Sequence, residues 1–167
     1  MRVLVAGVGN VLRADDRFGV EVARRLADVP LPEDVRVVET GIGGIALVQE
    51  LQEGFDALVV VDVVDRGRQP GTVMLIDLEV VDVHTLSWNE RHDLVTDSHL
   101  ATPERALMMA RALGVLPARV VMVACQPVDA ESVGEEMSAP VAAAVDVAVS
   151  EVLRYVAEVT SPGVPSV

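Results

Sequence analysis

Val3-Leu4-Val5-Ala6-Gly7-Val8-Gly9-Asn10-Val11-Leu12-Arg13-Ala14-Asp15-Asp16-Arg17-Phe18-Gly19 is the stretch from which the fold can be read. Val3 to Ala6 form a short apolar run that stops at a glycine, the pattern of a buried strand. Gly7 and Gly9 let the backbone turn tightly and approach whatever lies above the strand end. Asp15 and Asp16 then precede an amphipathic run, so two carboxylates stand at a helix start. A carboxylate is favoured there because it caps free N–H groups and answers the helix dipole. One aspartate suffices for that, which leaves the second for another task.

Gly-x-Gly after a first strand also suggests dinucleotide binding. That fingerprint needs a third glycine three residues on, where this chain has Leu12. Two acids at the phosphate end would in addition repel a pyrophosphate.

With 167 residues the chain is long enough for one domain with a substantial core. Because 51% of the residues are hydrophobic and only 2% aromatic, that core must be aliphatic. A net charge of −13, from 26 acidic and 13 basic residues, argues against a nucleic-acid partner, which needs a basic face. It suits a cation or a basic partner, although most of these carboxylates are accounted for by a solvated surface. Cys125 is the single cysteine, so no internal disulfide can form and a reducing compartment is expected. No secretory signal is evident, and the best apolar run is broken by Asp146, Ser150 and Glu151. The expectation is a soluble, cytoplasmic protein with no membrane partner.

Outward from the first stretch, strand one covers about residues 2–7 and a helix about 16–28, with Val22, Ala23 and Leu26 facing inward. Pro30 and Pro32 end that unit. Val35 to Glu39 reads as strand two, Thr40 to Gly44 as a flexible loop, and Ile45, Val48 and Leu51 mark a short helix. Ala57 to Val61 is a third strand ending on Asp62, and the next apolar run is Thr72 to Ile76. The connection between them is too short for a parallel crossover, so strand four should run antiparallel. Residues 78–98 read as a polar surface insertion. Thr102 and Pro103 start a helix with Leu107, Met108, Ala110 and Leu113 on its apolar side, and Gly114 ends it. Arg119 to Ala124 is strand five. After an acid-rich loop from Gln126 to Met137, Ser138 caps a long last helix to about Val159.

This order predicts an α/β fold, a three-layer α/β/α sandwich around a five-stranded mixed sheet with strand four antiparallel. Residues 1–160 form a single domain and 161–167 a flexible tail. With strand one between strands two and three, ligands should bind beyond the carboxyl ends of those strands. Asp16 and Asp62 would both face that crevice.

Asp16, Asp62 and His99 each sit at the boundary of a regular element, and together they make a first shell for a borderline divalent metal such as nickel or zinc. Each also has a plainer reading: Asp16 as a helix cap, Asp62 as an acceptor for loop N–H groups, His99 as a surface histidine. His84 and His92 read as surface histidines, and Cys125 as a buried small hydrophobe rather than a nucleophile. No nucleophile elbow is present. The methionines, Met108 and Met109 included, are core filler. Gly41, Gly43 and Gly44 could form a mobile wall of the crevice that accepts a substrate backbone, or only a tight turn.

Gly7 to Gly19 resembles the N-terminal signature of the hydrogenase maturation proteases, the endopeptidases that process [NiFe] hydrogenase large subunits. The resemblance continues through Glu39-Thr-Gly-Ile-Gly-Gly44, the strand ending in Asp62, Pro70-Gly-Thr72, and Ser98-His99 ahead of a helix closing at Gly114. It implies removal of a C-terminal extension from the large-subunit precursor once nickel has been inserted. It also implies metal contact by Asp16, Asp62 and His99, where the first position is often glutamate in the family. Gln126-Pro127 is a departure, since an acidic residue often precedes that proline. An enzyme without nucleophile or zinc motif can still cut if the nickel arrives with the substrate and holds it in place. The alternative from another class is a non-catalytic nickel-binding or delivery module using the same three residues.

Overall fold

A computed structural model of the chain describes residues 1–42, 44–90, 102–134 and 136–161. The described elements, in order, are β1 (Val3–Val8), α1 (Phe18–Ala27), β2 (Val35–Gly41), α2 (Gly44–Leu51), β3 (Ala57–Val63), β4 (Val73–Asp77), α3 (Pro103–Ala112), β5 (Arg119–Cys125) and α4 (Ala139–Thr160). The sheet order is β2-β1-β3-β5-β4. β1 is parallel to both β2 and β3, and β3 is parallel to β5. β4 alone runs antiparallel, as the short connection requires, and it pairs with β5 at the sheet edge.

Alternation along the strands divides the core between two faces. Val3 and Val5 of β1 and Val59 and Val61 of β3 meet Phe18, Val22 and Leu26 of α1 and the apolar side of α4. Leu4, Ala6, Leu58 and Val60 point the other way, onto Leu47, Val48 and Leu51 of α2 and Ala106, Leu107 and Ala110 of α3. The three expected layers follow, with an almost wholly aliphatic core. β1 and β3, covered on both faces, are buried nearly throughout and therefore read as unbroken apolar runs.

Close packing of α1 on the sheet explains the glycines of the first stretch. A Cβ on Gly7 would lie 2.3 Å from the Gly19 carbonyl oxygen, and one on Gly19 would lie 2.1 Å from that of Val61. Gly9 has φ +135° and sits against the Asp16 carbonyl.

Several sequence expectations shift. Asp15 to Arg17 form a 3-10 turn, and the α-helix begins only at Phe18. The expected Thr40–Gly44 loop is shorter, since Thr40 and Gly41 extend β2 and Gly44 opens α2. Thr40 is buried, its hydroxyl donating to the Gly7 carbonyl at 3.2 Å. The start of the 78–98 stretch is no loose insertion: Leu78 donates its N–H to Val120 O, and Leu78 and Val80 pack on the α2–α3 side of the core. Leu113 is exposed, and Met109 packs toward the core in its place. Among the described residues, no helix is long and apolar enough to cross a membrane.

Candidate active site

β1 leads through α1 to β2 at one edge of the sheet, while its neighbour β3 leads to β4 at the other edge, so the chain departs in opposite directions from the two strands and their carboxyl ends bound a crevice. A cleft of about 410 Å³ opens there, lined by Gly9, Asn10, Arg13, Asp16, Ile42, Asp62 and the start of α3 at Thr102 and Pro103. Asp16 and Asp62, 46 positions apart in the chain, are brought to its wall.

The two carboxylates are held differently. Asp16 Oδ2 accepts the Asn10 N–H at 2.9 Å and caps neither the 3-10 turn nor α1. Burial raises its pKa, against the Asn10 hydrogen bond and the Arg13 charge. Asp62 is buried, and its Oδ1 accepts the adjacent Val63 N–H at 2.7 Å. Desolvation pushes its pKa up to about 7, and repulsion from Asp16 and Glu104 acts in the same direction. Two carboxylates in one crevice resist double ionisation and welcome a cation between them. Among the described residues no group of three or more His, Cys, Asp or Glu is placed to hold a metal ion. His99, His92 and Gly43 lie outside the described residues, so the pair of aspartates is what the geometry supplies. His84 is exposed, as expected.

Asp15 has the opposite role from its neighbour. Fully buried, it accepts the N–H groups of Val128, Asp129 and Ser138 and the Ser138 hydroxyl at 2.7–3.0 Å. Burial works to raise its pKa, but these hydrogen bonds outweigh it and the pKa is lowered. Asp15 thus fastens the 126–138 loop to the turn that carries Asp16. Ser138, expected to cap α4, spends its hydroxyl on Asp15, and no side chain caps that helix. The expected helix cap is not found: neither aspartate caps the 3-10 turn or α1, Asp15 fastening a loop and Asp16 bordering the cleft.

Gln126 is a second residue whose role the sequence did not disclose. Its Oε1 accepts the N–H groups of Arg66 and Arg68 at 2.8 and 3.1 Å, and its Nε2 donates to Asp65 Oδ1 at 3.0 Å. An acid here could not donate to Asp65, which is a physical reason for glutamine in this chain. Cys125 beside it is buried with its thiol pushed up to about 11 by desolvation and the Asp15 charge, which disqualifies it as a nucleophile at neutral pH.

Residues 20–155 match the family model described as "Hydrogenase maturation protease". The chain belongs to the hydrogenase maturation protease family. Among curated proteins it is similar to the hydrogenase expression/formation protein HupD of Rhodobacter capsulatus, with 36% identity over 92% of this chain and 70% of that one. Among solved structures it is similar to the hydrogenase maturating endopeptidase HybD from E. coli, with a TM-score of 0.74 and 27% identity over 96% of this chain and 94% of that one. The hydrogenase 2 maturation peptidase from Thaumarchaeota archaeon SCGC_AB-539-E09 gives a TM-score of 0.68 and 33% identity, over 93% and 97%. Membership of this family makes the chain a hydrolase, an endopeptidase, rather than a dinucleotide-binding domain or a metal-delivery module.

Proposed function

We propose that this protease removes the C-terminal extension of a [NiFe] hydrogenase large-subunit precursor, and that it reads nickel already seated in that substrate. The observation that carries the reading is the convergence of Asp16, from the 3-10 turn after β1, and Asp62, from the end of β3, on one solvent-reached cleft. Neutralisation of Asp62 by burial fits a site that waits for a cation, because a carboxylate with raised pKa surrenders its proton when a metal arrives. Thr102, three residues beyond His99, lines the same cleft, so the chain is short enough for an imidazole to join the pair. Asp16, Asp62 and His99 then bind the substrate's nickel and fix the scissile bond in the cleft. Positioning, rather than chemistry at nickel, is the main contribution assigned to the metal. Ile42 on the cleft wall follows Gly41, the last residue of β2, and Gly41, Gly43 and Gly44 are assigned the task of accepting the substrate backbone. The work belongs in the cytoplasm, consistent with a lone buried thiol.

The test is incubation of the protein with nickel-loaded precursor and with the same precursor free of nickel, followed by mass spectrometry of the C-terminus. Loss of a C-terminal peptide from the loaded form alone is expected. Equal cutting of both forms would reject substrate-borne nickel, and cutting of neither would reject the protease assignment to this substrate.

A further inference from the structure

Acidic residues outnumber basic ones two to one here, and every basic residue is an arginine. Under that excess arginines find carboxylates readily: Arg24 pairs with Glu39, Arg25 with Asp146, Arg36 with Glu50 and Glu53, and Arg154 with Glu151 and Glu158. Arg66 and Arg68 differ. Both are exposed, and among the described residues their side chains enter no ion pair and no hydrogen bond. Their backbone, by contrast, is fixed, because both N–H groups donate to the buried Gln126 side chain. The loop is held while its two guanidinium groups are presented outward.

The neighbouring segment has the same character. Gly134 donates its N–H to Leu12 O, Ala14 donates to Ser132 O, and Arg13 bridges Val133, while the Asp15 carboxylate holds Val128 and Asp129. On this fixed frame Leu12, Val128 and Val133 are 62%, 57% and 88% exposed. Acids stand here too, but the Asp65 and Asp129 carboxylates are engaged by Gly67, Gln126, Glu131 and Ser132, and Glu131 is exposed. Apolar side chains on a hydrogen-bonded frame thus lie beside two arginines without a partner among the described residues, a composition found in protein contact surfaces. Arg13 joins this surface to the cleft, where it lies beside Asp16.

We propose that Arg66, Arg68, Leu12, Val128 and Val133 form the surface on which the folded body of the precursor docks, meeting carboxylates arranged around an apolar centre. The proposal rests on the protease reading above. A cleft of about 410 Å³ takes only a short run of chain. Contacts with a folded substrate must therefore lie outside it, and this surface is continuous with it through Arg13.

The experiment is steady-state processing of nickel-loaded precursor by the wild type, by Arg66→Glu/Arg68→Glu and by Val133→Asp, at several NaCl concentrations. Charges at the edge of an interface act mainly through association rate and salt dependence. KM should rise at least tenfold in the double variant and several-fold in Val133→Asp, with kcat within twofold and melting temperature unchanged. The fall of kcat/KM with salt seen in the wild type should flatten in the double variant. Wild-type KM and salt dependence in both variants would overturn the docking surface while leaving the protease reading intact. Failure of the wild type to cut would overturn the protease reading, and the docking surface with it.

Discussion

Asp15 turns both carboxylate oxygens toward loop N–H groups, while Asp16, one residue on, accepts a single N–H and borders the cleft. Replacing each by asparagine should separate stability from activity. Asp15→Asn places an amide N–H₂ against donors it cannot satisfy, at a cost of about 2–4 kcal/mol by urea denaturation. Because its pKa is lowered in the fold, the stability Asp15 contributes is present at neutral pH and lost on acidification through the carboxylate range. Asp16→Asn should retain the wild-type midpoint and lose processing. Asp62 has the reverse sign. Its pKa is raised to about 7, so burial costs nothing while it is protonated at pH 4 and costs most above pH 7. Asp62→Asn should therefore match the wild type in thermal melts at pH 4 and exceed it at pH 8, by up to about 4 kcal/mol. The same shift makes wild-type processing fall as pH drops below about 7, since a protonated Asp62 cannot ligate the substrate's metal; a flat kcat/KM from pH 5 to 8 would refute that role.

Elements here are set by close approach more than by propensity. α1 can lie on β1 and β3 only because Gly19 has no side chain; a Cβ there meets two carbonyl oxygens at 2.1 and 2.2 Å. Gly19→Ala should push the helix off the sheet and leave little folded protein, read by circular dichroism. Gly41 is the informative contrast. Its φ of +56° strains any L side chain, yet the space around it is open: a Cβ there would come no nearer than 3.9 Å to its closest neighbour, the Gly9 carbonyl oxygen. Gly41→Ala should cost about 1–2 kcal/mol in the same measurement and leave the fold intact.

Across the whole molecule, the described residues offer two carboxylates at the cleft and no third metal-ligating group placed with them. If nickel comes with the substrate, treating the enzyme alone with a chelator and then removing the chelator should leave processing at its full rate. A resident zinc would make the same treatment inactivating until metal is restored. The assay is cleavage of nickel-loaded precursor before and after treatment.

How much of this was legible in the sequence follows from the range of the interactions involved. Strands β1 and β3, the antiparallel β4, the Thr102–Pro103 helix start and the placing of Asp16 and Asp62 on one crevice were all readable, because apolar runs, connection length and turn residues are local signals. The tasks of Asp15, Gln126 and Ser138 were not. Each is defined by partners distant in the chain: Asp15 by residues 113 to 123 positions away, Gln126 by residues some 60 positions before it. A sequence specifies that an aspartate, a glutamine or a serine is present. Only the packing of the 126–138 loop against the first turn decides which of their oxygens is buried, and a buried acceptor must take whatever N–H groups the fold brings to it.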